Sequence, residues 1–191
     1  MNYATYISNH VIQRLLKKLY FTPEVELLKS GILSNIKMDS KQLNVLLADD
    51  DTDDRIFFKQ ILEQLPLATH LTTVLDGKQL MDYLVENTEQ LPDVLFLDLS
   101  MPQKTGFECL AEIKENEKWK DIPVVILSTF YQRDIVYEQN IILTLSRIGA
   151  EDYIRKPGDF LQLKEIIHQA LIRVSEKRSL SEQGGNLYAV K

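Results

Sequence analysis

A short apolar segment that runs directly into a cluster of acids limits the folds open to this sequence. Residues 45–48 are consecutive and apolar, which is typical of a strand buried on both faces of a parallel sheet. Asp49 and Asp50 follow at once. Because ligands of open α/β sheets bind just outside the carboxyl ends of the strands, the two acids are expected in a functional site. Carboxylates this close ionise together only beside a cation, and Mg²⁺ is the hard cation that oxygen ligands favour.

The composition argues against several classes of function. The 191 residues are 45% hydrophobic and 26% charged, with a net charge of −6. Residues 1–40 hold five basic and three acidic residues, so the remainder carries −8, which argues against nucleic-acid binding by the main domain. Cys109 is the single cysteine, which rules out an internal disulfide and favours a reducing compartment. Since no apolar run reaches the ~20 residues of a membrane span and no signal peptide is evident, we expect a cytoplasmic protein.

Residues 1–41 are predicted to form an N-terminal helical extension. Apolar residues recur at helical spacing between positions 7 and 19 with three basic residues among them, which predicts a basic amphipathic helix. A second helix is predicted to begin at Thr22, with Pro23 in its first turn. Three interpretations stay open: a docking or membrane-surface helix, an extension packed on the domain, or a segment upstream of a natural start at Met38.

From residue 42 to residue 175, apolar runs alternate with helical periodicity. This rhythm predicts an α/β protein with a parallel sheet and right-handed crossovers. The fold we expect is a flavodoxin-like (βα)5 three-layer sandwich, and if the sheet is of that type its parallel strand order is 2-1-3-4-5. The predicted strands cover residues 45–48, 70–74, 93–98, 123–128 and 152–155. The predicted helices 1 to 5 begin near residues 52, 77, 106, 134 and 160, and the inward residues of helices 1 and 2 are Ile56, Phe57, Ile61, Leu62, Leu80, Met81, Leu84 and Val85. The polar segment 176–191 is predicted to be a disordered tail.

Further reactive residues stand at the ends of the predicted strands. Asp98 closes strand 3, Ser128 closes strand 4 and Lys156 follows strand 5. In the predicted strand order, Asp98 joins the acidic pair around one cation. The hydroxyl of Ser128 and the ammonium of Lys156 then imply an anion. An aspartate with these neighbours is equipped to receive a phosphoryl group, because each neighbour neutralises charge on the transferring oxygens.

On these residues, the segment 42–175 resembles the receiver domain of bacterial two-component response regulators. The matching motifs are Asp49-Asp50, Asp98-Leu-Ser-Met-Pro, Gly106, Ser128, Tyr153 and Lys156-Pro157. Each motif alone is common, whereas the complete set in order on a (βα)5 pattern is specific. The resemblance implies a stand-alone receiver that is a signalling switch rather than an enzyme, because too few residues follow the fifth predicted helix for a DNA-binding output domain.

The resemblance also implies the chemistry of the site. Asp98 is the expected acceptor of a phosphoryl group from a histidine kinase or phosphotransfer protein. The expected ligands of Mg²⁺ are Asp49, Asp50, Asp98 and the backbone carbonyl of Ser100.

A conformational switch is the second implication of the resemblance. Lys156 is expected to pair with the acceptor or its phosphate, aimed by a cis peptide before Pro157. Ser128 is expected to hydrogen-bond the phosphate, so that Tyr153 turns inward and reshapes the face of helix 4, strand 5 and helix 5. This face is the expected binding surface for a downstream protein, and a homodimer is a second use of the same surface.

Two features depart from the receiver pattern. The interval 128–149 is longer than a compact receiver needs, which predicts a longer helix 4 that provides either a modified partner surface or a larger core contact. Full burial of residues 141–143 would reject the partner surface. Phe130 stands where the family often has a polar residue, and together with Ser100 it is expected to tune the lifetime of the phosphorylated state.

Two alternatives stay open on the sequence alone. The first is a pseudo-receiver that binds partners without phosphorylation, which the complete set of acidic, hydroxyl and lysine positions disfavours. The second is a Mg²⁺-dependent aspartyl-phosphate phosphatase. That class needs an acid two residues after its nucleophile, where this chain has Ser100.

Overall fold

The computed structural model describes residues 42–129 and 135–185, in which five strands alternate with five helices. The strands are β1 Leu43–Ala48, β2 Thr69–Val74, β3 Val94–Asp98, β4 Val124–Ser128 and β5 Asp152–Arg155. The helices are α1 Thr52–Glu63, α2 Gly77–Glu86, α3 Gly106–Glu115, α4 Ile135–Ile148 and α5 Phe160–Gly185. The predicted alternation is confirmed, while the predicted extension over residues 1–41 lies outside the described residues.

The five strands form one parallel sheet in the order β2-β1-β3-β4-β5, as predicted for a flavodoxin-like fold. Ala48 of β1 pairs with Leu97 of β3, and Asp98 pairs with Leu127 of β4. The carboxyl ends of neighbouring strands therefore lie side by side. This register places the reactive residues that follow β1, β3 and β4 along one edge of the sheet.

Helices cover both faces of the sheet and give the predicted three layers. On one face α2, α3 and α4 contribute buried side chains such as Leu84, Leu110 and Leu145. On the other face α1 and α5 contribute residues such as Ile61 and Leu171. The inner strands β1, β3 and β4 are almost entirely buried, because a parallel sheet with helices on both faces leaves them no solvent-exposed face. The edge strands β2 and β5 are only partly buried.

Part of the predicted orientation of α1 and α2 is wrong. Ile56 and Phe57 are 48% and 47% exposed, and Val85 is 60% exposed. Phe58 is buried instead, with its ring centroid 4.9 Å from that of Phe96 in β3. Three consecutive apolar residues at 56–58 fit more than one helical face, so periodicity alone does not fix the rotation of α1. The predicted inward residues that are confirmed are Ile61, Leu62, Leu80, Met81 and Leu84.

The end of α5 also differs from its prediction. The helix continues to Gly185, so a disordered tail is wrong for residues 176–185, whereas residues 186–191 lie outside the described part. Ion pairs from Lys177 to Glu151 and from Arg178 to Asp93 connect the extended helix to the sheet. Among the described helices, including the 26 residues of α5, none combines the length and the apolar composition of a membrane span.

Candidate functional site

Four of the predicted site residues come together at the carboxyl edge of the sheet. Asp49, Asp98 and Ser128 end or directly follow β1, β3 and β4, and all three are buried. Lys156 directly follows β5, and its backbone N–H donates to the carbonyl of Ser128 at 2.9 Å. The strand order thus brings together residues that are more than one hundred positions apart in the chain.

The ammonium group of Lys156 is the centre of this arrangement. Its Nζ lies 2.7 Å from Asp49 Oδ2, 2.7 Å from Asp54 Oδ2 and 3.1 Å from Asp98 Oδ1. The Lys156 side chain is only 8% exposed. Since an ammonium has three N–H donors, each of them has a carboxylate partner.

One ammonium group is shared among three carboxylates, and the pKa values of Lys156 and Asp49 are shifted. Burial disfavours the charge on Lys156, but the carboxylates of Asp98 and Asp49 outweigh burial and raise the pKa of the lysine. Burial raises the pKa of Asp49 in spite of the opposing effect of Lys156. The excess of carboxylates favours binding of a further cation.

The loop after β3 holds the Asp98 carboxylate in place. Asp98 Oδ2 accepts a hydrogen bond from the backbone N–H of Ser100 at 2.6 Å. The start of α3 packs tightly beneath this loop, because a Cβ atom on Gly106 would lie 2.2 Å from the carbonyl oxygen of Asp98. Only glycine allows this approach, which explains the residue type at the start of α3.

The side chains of Ser128 and Tyr153 are in contact through a hydrogen bond. Burial raises the pKa of the Tyr153 hydroxyl, and a hydrogen bond with the Ser128 side chain partly opposes this effect. The Tyr153 ring is half-buried against the core formed by α2, α3 and α4. Ser128 therefore connects the acidic site to β5 through its backbone and its side chain.

The prediction of a cis peptide bond before Pro157 is wrong. No cis peptide bond occurs within the described part of the chain, which includes this bond. The trans form is the more stable isomer of X-Pro bonds by about 0.5–1 kcal/mol. In the trans form Lys156 already contacts Asp98.

The predicted metal ligands are brought together only in part. Asp49 and Asp98 share the Lys156 ammonium, whereas Asp50 is exposed. No group of three histidine, cysteine, aspartate or glutamate side chains suited to a metal occurs among the described residues. Mg²⁺ usually keeps several waters and binds through one or two carboxylates, so the donor chemistry of the Asp49 and Asp98 pair fits this ion.

Two residues that were not assigned to the site from the sequence contact it, Asp54 and Arg55. Phe130, which was assigned to it, lies outside the described residues. Asp54, in the first turn of α1, bonds Lys156. Arg55 Nη1 donates to the backbone carbonyl of Asp49 at 2.8 Å. The available signal was that α1 begins directly after the acidic pair, which brings its first turn to the sheet edge.

Comparison with known proteins gives one family. The profile described as Response regulator receiver domain matches residues 45–168. Response regulator Rcp1 of Synechocystis sp. is 37% identical over 112 residues, which cover 54% of this chain and 76% of Rcp1. Two-component response regulator ARR3 of Arabidopsis thaliana is 31% identical over 147 residues, which cover 71% of this chain but only 59% of ARR3.

Solved structures give the same result. The phosphorylated cyanobacterial phytochrome response regulator RcpA is similar with a TM-score of 0.59 and 30% identity, over 68% of this chain and 91% of RcpA. The Mn²⁺-bound form of Rcp1 is similar with a TM-score of 0.58 and 27% identity, over 66% of this chain and 90% of Rcp1.

Proposed function

The chain belongs to the response regulator receiver family, and on this premise we propose that Asp98 is the residue that accepts a phosphoryl group. The family places the receiver domain in two-component signal transduction. The donor we propose is a histidine kinase or a phosphotransfer protein.

The geometry of the Asp98 carboxylate is the observation that carries this proposal. Asp98 is buried at the end of the central strand β3. One of its oxygens accepts from Ser100 N–H and the other from Lys156 Nζ. Two donors from different elements hold the carboxylate in one orientation, which a nucleophile needs for an in-line displacement.

The proposed step is a transfer between a nitrogen and a carboxylate oxygen. An Asp98 oxygen forms a bond to phosphorus while the phosphorus–nitrogen bond of a phosphohistidine breaks. The electron pair of the broken bond stays on the imidazole nitrogen. Lys156 and the hydroxyl of Ser128 donate to the phosphoryl oxygens and stabilise their charge during the transfer.

Asp49, Asp98 and the backbone carbonyl of Ser100 are the groups we propose for binding Mg²⁺, with Asp50 at the exposed rim. The bound ion would supply positive charge to the phosphoryl oxygens. Three carboxylates surround the single ammonium of Lys156, and this excess of negative charge supports binding of a divalent cation at the site. A relative, Rcp1, has a Mn²⁺-bound form.

For output we propose the face formed by α4, β5 and α5, reached through Ser128 and Tyr153. On α4, Tyr137, Ile142 and Leu143 are 47%, 36% and 55% exposed. The full burial that would reject a partner surface is therefore absent. Binding of a downstream protein, or of a second copy, to this face stays a prediction.

The compartment we propose is the cytoplasm. Its support is the single cysteine, Cys109, which is buried as a free thiol and fits a reducing environment.

Intact mass spectrometry after incubation with phosphoramidate and Mg²⁺ tests the proposed acceptor. Wild type is expected to gain one phosphoryl group, which is lost when Mg²⁺ is chelated and does not form on Asp98→Asn. Asp53→Asn is the matched control, because it removes an exposed acid near the site and should be phosphorylated like wild type. An adduct that persists on Asp98→Asn would overturn the proposal, and no adduct on wild type would favour the pseudo-receiver instead.

A further inference from the structure

Asp54 is the third carboxylate on Lys156, and it comes from α1 rather than from a strand end. Its Oδ2 is 2.7 Å from Lys156 Nζ, closer than Asp98 Oδ1 at 3.1 Å. The Asp54 side chain is 31% exposed, compared with 2% for Asp49 and 6% for Asp98. Asp54 therefore lies at the rim of the site, on the side of α1.

The start of α1 fixes the position of Asp54. Asp51 caps the helix, and its Oδ1 accepts from the backbone N–H groups of Asp53 and Asp54 at 2.8 and 3.1 Å. The two capped residues then differ in environment, because Asp54 bonds Lys156 whereas Asp53 is exposed. The cap thus gives the first turn of α1 a defined direction at the sheet edge.

We propose that Asp54 is a positioning residue that retains the Lys156 ammonium beside Asp98 when a divalent cation binds. The inference rests on the proposed function of this site. A cation bound by Asp49 and Asp98 would compete with Lys156 for their carboxylate oxygens, and its charge would repel the ammonium. Of the three carboxylates around the lysine, Asp54 is the one that the cation does not require. Anchored there by one N–H, Lys156 keeps its other donors for a phosphoryl oxygen.

Two measurable properties depend on this anchor. Without Asp54, the ammonium is bonded to Asp49 and Asp98 alone and competes directly with the cation for them. It is also less constrained when those residues bind the cation, so fewer molecules have Lys156 placed for transfer. Loss of Asp54 is thus expected to weaken cation binding and to slow phosphorylation.

The rate of phosphorylation by phosphoramidate at saturating Mg²⁺ tests the anchor. Asp54→Asn is expected to slow the reaction at least about tenfold. Asp53→Asn, which removes the same charge one residue away, is expected to stay within about twofold of wild type. Asp54→Glu keeps a carboxylate within reach of Lys156 and is expected to recover most of the rate.

A double-mutant cycle separates positioning from a general effect on the fold. If Asp54 acts through Lys156, adding Asp54→Asn to Lys156→Met changes the rate no further. If Asp54→Asn slows the Lys156→Met protein by the same factor as it slows wild type, the inference is overturned. Equal rates of phosphorylation for Asp54→Asn and Asp53→Asn would also overturn it. If Lys156→Met fails to fold, the Asp54→Glu comparison decides, and a rate as low as that of Asp54→Asn would count against the anchor.

Titration with Mn²⁺, followed by electron paramagnetic resonance, needs no phosphoryl transfer. Asp54→Asn is expected to bind Mn²⁺ at least about threefold more weakly than Asp53→Asn, and equal affinities would contradict the inference. A wild type that forms no adduct would overturn the proposed function, while the Mn²⁺ titration would still decide the role of Asp54.

Discussion

Lys156 connects three parts of the chain through a single ammonium group. Its partners Asp49, Asp54 and Asp98 come from the end of β1, the first turn of α1 and the end of β3. A planar guanidinium would not match three acceptors in this arrangement, so arginine is not an equivalent replacement. Both the orientation of the proposed acceptor and the charge balance of the site depend on this residue.

Cys109, unlike Lys156, is a reactive group whose reactivity is lowered by burial. The thiol is fully buried, and its Sγ lies 3.6 Å from the carbonyl oxygen of Gly77. Burial raises the pKa of the thiol from 9.0 to about 11. Cys109 is therefore protonated at neutral pH and poorly nucleophilic, which argues against a redox role in the native state.

The raised pKa of Cys109 predicts a pH dependence of stability. Between pH 9 and pH 11 the unfolded chain loses the thiol proton while the native state keeps it, so the free energy of unfolding falls as pH rises. Below pH 9 the contribution is fully present. Urea unfolding of wild type and Cys109→Ala across this range should show wild type losing up to about 2 kcal/mol more than the variant. Parallel declines in the two proteins would show that the thiol does not titrate as stated.

At the level of elements, two of the ion pairs of α5 differ in burial. Arg178 Nη1 lies 2.8 Å from Asp93 Oδ1, and these side chains are 18% and 19% exposed. Arg173 pairs with Asp152, and those side chains are 49% and 38% exposed. Asp93 also accepts from the backbone N–H of Asn44, so the Arg178 pair connects the C-terminal half of α5 to the start of β1.

This difference predicts unequal effects of two matched substitutions. Arg178→Gln is expected to lower the free energy of unfolding by about 1–2 kcal/mol, because it leaves the largely buried carboxylate of Asp93 without its charged partner. Arg173→Gln is expected to cost less than about 1 kcal/mol, as for exposed pairs. Chemical denaturation of both variants provides the comparison, and equal losses would mean that burial does not set the strength of the pairs.

The elements also show what the sequence could and could not predict. The inner strands and the acids at their ends were predictable, because strands buried on both faces appear as uninterrupted apolar runs. The strand order was predicted on the condition that the sheet is flavodoxin-like. The rotation of α1 was not, since Ile56, Phe57 and Phe58 are consecutive and only packing on Phe96 selects Phe58. The contact of Asp54 with Lys156 was missed for the same reason, because it depends on that rotation.

At the level of the whole molecule, the sheet concentrates the reactive groups at one edge of an acidic protein. The chain has a net charge of −6, yet the proposed acceptor lies beside a buried lysine, which also pairs with Asp54 in the first turn of α1. The surface of α4 that exposes Tyr137, Ile142 and Leu143 is a candidate binding surface for partner proteins. Phosphorylation of Asp98 and its readout on α4 would thus be coupled through Ser128 and Tyr153.

The position of the phosphoryl group in the chain decides whether Asp98 is the acceptor. Borohydride reduction converts an aspartyl phosphate to homoserine, which peptide mass spectrometry can assign to a position. After phosphorylation with phosphoramidate and Mg²⁺, we predict homoserine in place of Asp98 in the peptide that contains β3, with Asp49, Asp50 and Asp54 unchanged. Homoserine at any of those three positions, or an unmodified Asp98 in a protein that carries the phosphoryl group, would contradict the account.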